Sequence, residues 1–319
     1  MAHLDLDLAR AVSIVDIVGD YVPDLKRQGG DYMALCPFHE DKTASFTVNE
    51  EKGVFRCFGC GESGDVIAFV RAIEGLDFRA AVLRIIDDFA GVLTPDNLIK
   101  RAAAREKAQR QQELDDAQKA KTALEIWKTA QPTAGSLVGR YLRGRGITIS
   151  IPPSIRFRPS LKHTPSGLEF PAMVAALQAP GRTVVGIHRT YLSPDGGGKA
   201  NIKPPKMALG PCATNAVRLA AATATLGLAE GIETALSAMQ LYGDPVWAAC
   251  GSNLAGVVIP DTVKHVVVYA DNGDPGMRAA TEAIETFCRQ GRNVTLVHPA
   301  DGFGDFNDLL QAKAESEAA

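Results

Sequence analysis

Cys36-Pro37-Phe38-His39 and, after a gap of seventeen residues, Cys57-Phe58-Gly59-Cys60 decide how the first part of this 319-residue chain folds. Each is a knuckle with two residues between its ligand-type side chains. Zinc takes four N and S donors in a tetrahedron, and two tight turns on neighbouring hairpins deliver two donors each. Protein side chains fill all four positions of Cys36, His39, Cys57 and Cys60. Such a site is closed, so the metal holds the unit together rather than catalysing. Gly59 and Gly61 let backbone N–H groups approach the thiolates. Cys212, Cys250 and Cys288 lack this spacing and read as small core residues. Six cysteines in a chain of this length do not make a disulfide scaffold.

Working outward, Leu8–Val18 has the apolar period of a helix, and Tyr32–Leu35, Ser45–Val48 and Val54–Cys57 read as short strands around the knuckles. Gly61 and Gly64 break the chain before two amphipathic helices, Val66–Ile73 and Phe78–Phe89. Pro95 to about Thr129 is rich in Ala, Gln, Lys, Arg and Glu and predicts a charged linker helix.

The stretch Leu35 to Val48, with the segment Phe55-Arg56-Cys57-Phe58-Gly59-Cys60-Gly61-Glu62-Ser63-Gly64-Asp65, resembles the N-terminal zinc-binding domain of DnaG-type bacterial and phage DNA primases. Ile17-Val18-Gly19-Asp20-Tyr21-Val22 fits as well. The resemblance implies that this domain engages single-stranded template through Lys42, Phe46, Phe55 and Arg56. Rings near bases and cations near phosphates suit sequence-tolerant single-strand binding. Equally, Phe46 and Phe55 read as the core of a very small domain.

The net charge of −3 hides an uneven distribution. Residues 1–120 carry 15 bases and 21 acids, residues 121–218 carry 14 and 3, and residues 219–319 carry 5 and 13. A middle of charge +11 between two acidic ends points to a polyanion held by one part of the chain, or else to a solvated basic face. Apolar residues make up 46% and charged residues 22%, which excludes global disorder. No apolar run reaches the roughly 18 residues that span a bilayer. Acids stand near the start where a secretory signal has bases, so a cytoplasmic protein with no membrane partner is expected.

From about Thr223 the chain alternates strand and helix. Strands are expected at Thr225–Ala229, Val246–Ala249, His265–Ala270 and Val294–His298. Helices are expected at Thr234–Tyr242, Met277–Arg289 and from near Phe306. That alternation predicts a parallel sheet covered by helices. Residues just past the C-terminal ends of such strands gather at one edge. Glu230 follows the first strand, Asp271 and Asp274 the third, and Asp305 and Asp308 the fourth after a loop. Carboxylates gathered there repel unless a divalent cation neutralises them. Mg²⁺ or Mn²⁺ accepts such oxygens and keeps positions for substrate phosphates.

Glu230-Gly231-Ile232-Glu233-Thr234-Ala235, Ala270-Asp271-Asn272-Gly273-Asp274-Pro275-Gly276 and Gly304-Asp305-Phe306-Asn307-Asp308-Leu309 resemble the topoisomerase–primase (Toprim) domain of phage and plasmid primases. The resemblance implies a catalytic Glu230, with Asp271 and a second Asp on metal. The family pattern Asp-x-Asp is broken here by Gly273. Either the loop is one residue longer and Asp274 takes the place of the second acid, or Asp274 is not a ligand.

In the middle, Ala172–Gln178 and Thr183–Leu192 around Pro180-Gly181 predict a β-hairpin. Tyr141-Leu142-Arg143-Gly144-Arg145-Gly146-Ile147, Ile187–Leu192 and Gly198-Lys199-Ala200 resemble the segment preceding the Toprim domain in mobile-element primases. Arg189, Lys199, Lys203 and Lys206 are the candidates for template and triphosphate contacts, or form a solvated rim. Gly196-Gly197-Gly198-Lys199 is no P-loop, because Ser193 stands where its first glycine belongs. A replicative helicase would be a separate partner.

The expected architecture is a multidomain α+β and α/β chain. Its parts are a zinc ribbon at 1–93, a helical linker at 94–129, a basic α+β subdomain at 130–222, a parallel α/β Toprim domain at 223–312 and a tail at 313–319. The leading functional reading is a DNA primase that makes RNA primers on single-stranded DNA from ribonucleoside triphosphates. Its cofactors would be structural Zn²⁺ and catalytic Mg²⁺ or Mn²⁺. The alternatives are a metal-dependent Toprim-type nuclease and a non-catalytic single-strand binding or loading factor.

Overall fold

The computed structural model describes residues 5–28, 31–41, 44–89, 95–251 and 253–318. Two compact units divide the chain, Met1–Leu114 and Asp115–Ala319. The expected border near residue 93 lies outside the described residues.

The first unit begins with helices α1 (Leu6–Ala11) and α2 (Ile14–Tyr21). The Ser13 hydroxyl accepts the Asp16 N–H at 3.1 Å and starts α2, satisfying a donor that the helix leaves free. An antiparallel sheet follows, β1 (Lys26–Gln28), β2 (Asp31–Ala34), β3 (Phe46–Asn49), β4 (Val54–Cys57) and β5 (Ser63–Asp65), paired in sequence order. Asp65 then caps α3 (Val66–Glu74), which Gly75 ends in the left-handed conformation (φ 66°). Helices α4 (Phe78–Phe89) and α5 (Pro95–Lys128) complete the series. The core of this unit is aromatic. Phe46, Phe55 and Phe69 are fully buried, and their ring centroids lie 5.5 to 6.2 Å apart, with Phe38 at their edge.

The second unit takes up the end of α5, then α6 (Leu137–Gly144), β6 (Ile155–Lys162), β7 (Glu169–Gln178), β8 (Val184–Tyr191), β9 (Lys206–Leu209) and β10 (Ala216–Arg218). It continues with β11 (Thr225–Ala229), α7 (Ile232–Tyr242), β12 (Val246–Ala248), β13 (His265–Tyr269), α8 (Asp274–Arg289), β14 (Asn293–Val297) and α9 (Phe306–Ala318). Strands β11 to β14 are parallel to one another, as the strand–helix alternation predicts, in the order β14-β13-β11-β12.

The basic middle and the C-terminal α/β part are not separate bodies. Strand β10 pairs antiparallel with β12 on one side and with β7 on the other, making one nine-stranded sheet. The expected border at 222/223 therefore falls inside a compact unit. A common core runs from Tyr141, Leu142 and Met173 to Leu236, Tyr269 and Phe306. Among the described residues no helix is long and apolar enough to cross a membrane.

Candidate functional site

Strand β4 and the turn before β3 bring the two knuckles together. The ligand atoms of Cys36, His39, Cys57 and Cys60 lie within 4.8 Å of one another. The sulfurs of Cys36 and Cys60 are 3.8 Å apart, and Cys57 Sγ is 3.9 Å from His39 Nδ1. A tetrahedron with metal–sulfur bonds of about 2.3 Å needs donor–donor edges of about 3.8 Å, so the cage has the size zinc requires. The Gly59 and Cys60 N–H groups donate to Cys57 Sγ at 3.2 and 3.3 Å, and the Ser45 hydroxyl lies 3.2 Å from it. Burial alone would raise the Cys57 thiol, but those hydrogen bonds outweigh it and bring it down to about 6. Burial pushes Cys36 up to about 12, against a single N–H from Phe38. Gly59 is required by space, since a Cβ there would sit 2.7 Å from His39 Nε2. Gly61 acts differently from the expectation. Its N–H goes to the Cys57 carbonyl, and it turns the chain at φ 85°.

The expected template contacts in this unit divide. Phe46 and Phe55 are 0% and 2% exposed, inside the aromatic core, so no base can reach their faces. Lys42 lies outside the described residues. Arg56 is exposed and lies over the ring of Phe58 at 5.2 Å. Phe58, which was not among the expected contacts, is 69% exposed.

The second site forms at the C-terminal edge of the parallel strands. Glu230 follows β11 and is half-buried, and Asp271 follows β13. The Thr234 hydroxyl, on the first turn of α7, donates to Asp271 Oδ1 at 3.2 Å. Burial first, then the charges of Asp305 and Glu230, push the Asp271 carboxyl up to about 6. Carboxylate oxygens are hard donors of the kind a divalent ion takes.

Gly273 does turn the chain, with φ 111°, and a Cβ at Gly276 would clash with the Asp271 carbonyl at 2.4 Å. Asp274 opens α8, exposed and without a hydrogen-bond partner among the described residues. Asp305, rather than Asp274, is the acid that bears most on Asp271. Asp305 also caps α9, accepting the N–H groups of Asn307 and Asp308 at 2.8 and 2.9 Å. The Asp308 carboxylate accepts from the Gly304 N–H at 3.2 Å and is exposed. Asn272 is structural, binding the carbonyls of Pro299 and Phe303 with its side-chain amide and so holding the two acidic loops together.

Beside the acids stands a network that the sequence reading missed. Glu233 is 4% exposed, yet Lys206 Nζ lies 3.0 Å and Lys199 Nζ 3.7 Å from its oxygens, and Tyr141 donates to it at 2.7 Å. Burial would raise the Glu233 carboxyl, but Lys206, Lys199 and Tyr141 overcome it and hold it at about 2. His188 belongs to the same surroundings, and burial lowers it to about 4, so it is neutral at pH 7. The Arg145 guanidinium donates to Asn307 Oδ1 at 2.5 Å, tying α6 to α9. Lys206 and Lys199, expected as template or triphosphate contacts, are both paired with Glu233. Lys203 is exposed and carries no ion pair among the described residues. Arg189 is not a phosphate contact. It is 6% exposed, and its guanidinium is spent on the Met207 and Ala208 carbonyls and the Tyr191 hydroxyl. Cys212 and Cys250 pack against the core, whereas Cys288 is exposed and not the core residue expected.

Three family models match separate stretches of the chain. Residues 3–99 match the CHC2 zinc finger, residues 225–316 the Toprim domain, and residues 117–219 a domain of unknown function, DUF7146. A DNA primase of Enterococcus faecalis (strain ATCC 700802 / V583) is 48% identical over 81 residues, 25% of this chain and 13% of the relative. One from Geobacillus stearothermophilus is 51% identical over 78 residues, 24% of this chain and 13% of the relative. Each match therefore covers only 13% of the relative's length. The crystal structure of the Aquifex aeolicus primase, comprising its zinc-binding and RNA polymerase domains, aligns with 100% of this chain and 84% of its own. That alignment has 21% identity and a TM-score of 0.44. The zinc finger and the Toprim domain fall on the knuckles and the carboxylate loops that carried the resemblance to DnaG-type primases.

Proposed function

We propose that the chain is a DNA primase, synthesising short RNA primers on single-stranded DNA from ribonucleoside triphosphates. The observation that carries this reading is the juxtaposition, on one sheet edge, of Glu230, Asp271 and Asp305 with the Lys199–Glu233–Lys206 network. Asp271, Asp305 and Glu230 would hold Mg²⁺ or Mn²⁺, with Asp274 and Asp308 assisting from the rim. Such an ion supplies charge neutralisation for in-line phosphoryl transfer. Glu230 would orient the attacking 3′-hydroxyl and accept its proton. Glu233 would hold the two ammonium groups in place beside the acids, where a triphosphate would lie. Arg56 and Phe58 would hold template, the ring against a base and the guanidinium against phosphate.

The test is incubation of the protein with single-stranded DNA, labelled ribonucleotides and Mg²⁺ or Mn²⁺. Short RNA products support the reading. Shortened DNA with no RNA product would make the protein a nuclease, and DNA binding with neither product would make it a loading factor.

Two consequences are measurable. Asp271 binds its proton more tightly in the folded protein (about 6) than at its ordinary value of 3.8. The metal-free protein should therefore lose stability from this group as pH rises through that window. Added Mg²⁺ should raise the melting temperature more at pH 7 than at pH 5, and Asp271→Asn should erase the difference. Second, Lys203→Glu should weaken single-strand binding and flatten its salt dependence by about one phosphate contact. Lys206 is the worse handle, because Lys206→Glu would set a second carboxylate against buried Glu233. Unchanged salt slopes for Lys203→Glu would move the binding face elsewhere.

A further inference from the structure

At the opposite edge of the nine-stranded sheet, before β11 and β13 begin, lies a cavity of about 520 Å³. The parallel strands are five residues long, so this edge stands about 16 Å from the carboxylates. Its walls come from the end of α5, the turn before β6, the β7–β8 hairpin, β10 and β12. Half-buried Trp127 is the accessible ring of its lining, since Trp247 and Leu219 belong to the core, and Arg182 and Arg218 supply its charge.

The charge on this cavity is unbalanced. No acid lines it among the described residues, and neither arginine has an ion-pair partner there. Arg182 lies close enough to Arg218 to disfavour its charge, after burial, which disfavours it more. Arg218 lies over the Trp247 ring at 4.4 Å and gives one N–H to the Ala179 carbonyl at 2.8 Å, but its Nε is buried with no partner. Ser154 is 8% exposed, and its hydroxyl is also buried without a partner. Two like charges at one wall repel, and an anion between them relieves the repulsion. Arg182 sits at φ 65° after Gly181 in the hairpin turn, so the backbone itself is bent to put it there.

We propose that this cavity is a second ligand site, for a mononucleotide, whose phosphates bridge Arg182 and Arg218 and whose base lies against the half-buried Trp127. The volume falls in the range of small-molecule sites, about 300–1,000 Å³. Two neighbouring cations in a cavity match a di- or triphosphate better than a strand, which needs a row of cations along a groove. The site is separate from the acids and does not depend on the primase reading. Binding here acts on the same sheet that carries Glu230 and Asp271.

Trp127 and Trp247 are the only tryptophans in the chain, so intrinsic fluorescence reports on this cavity. The full chain is titrated with ATP, GTP and inorganic pyrophosphate in the presence of chelator, which silences the carboxylate edge. A saturable change in tryptophan emission, tighter for a nucleotide than for pyrophosphate, is expected. Arg182→Glu should weaken it at least tenfold, with melting temperature unchanged, since that side chain is exposed. Arg182→Lys should restore part of the affinity. No saturable change with any probe, or full binding by Arg182→Glu, overturns the proposal. So does pyrophosphate binding as tightly as ATP, or displacement of ATP by single-stranded oligonucleotide alone.

Discussion

Glu230→Gln, Asp271→Asn and Asp305→Asn should each reduce primer synthesis by about 10²–10³-fold or more, the scale of losing one preorganised charge from a reacting site. Single-strand binding should change little. The substitutions are chosen to keep the local folds. Asn at 271 still accepts the Thr234 hydroxyl, and Asn at 305 still caps α9. Asp271→Asn has a second signature. It removes a carboxylate pushed up to about 6 by burial and by Asp305 and Glu230, so the metal-free protein should become more stable at neutral pH while it loses activity. A merely destabilising mutation would show the opposite sign. Asp274→Asn should retain much more activity than Asp305→Asn, because Asp274 is exposed at the first turn of α8 and Asp305 is the acid that acts most on Asp271. If Asp274→Asn is as inactive as Asp271→Asn, the longer loop does return its carboxylate to the metal. If all the variants retain activity, the carboxylate edge is not where chemistry occurs.

Local spacing carried the legible part of this structure. The knuckles, the strand before Glu230 and the strand before Asp271 each lie within a few consecutive residues, and each appears where the spacing puts it. The core role of Phe46 and Phe55 was readable too. Phe46 alternates with Val48 and Phe55 with Cys57, and all four are buried on one face. Their resemblance to template contacts pulled the other way. What could not be read depends on pairings between distant segments. Strand β10 is three residues long and has no period of its own, yet it joins the basic middle to the α/β part. Glu233 sits three residues from Glu230 in the same motif, but its burial among Tyr141, Lys199 and Lys206 is set by segments up to 92 positions away. Arg189 looked like a free cation until the β8–β9 pairing supplied the carbonyls that consume it.

Removing one zinc ligand should have the other large effect, on folding. Structural zinc contributes about 10–16 kcal/mol of apparent binding free energy in small domains. The first unit has only a small aromatic and aliphatic core to set against its chain entropy. Cys57 is the ligand whose loss costs most, since it is fully buried and receives the Gly59 and Cys60 N–H groups and the Ser45 hydroxyl. Cys57→Ser should therefore release the metal and abolish amide protection in β2 to β4, while the second unit, with cores of its own, keeps its protection. Gly59→Ala should be intermediate, because the added methyl must displace the His39 ring that it meets at 2.7 Å. Cys288→Ser, an exposed cysteine outside the knuckles, is the control and should leave zinc content and protection unchanged. Metal analysis of each purified protein, followed by hydrogen exchange, decides the matter. Full zinc content in Cys57→Ser, or loss of protection in the second unit rather than the first, would show that the cage does not hold this unit together.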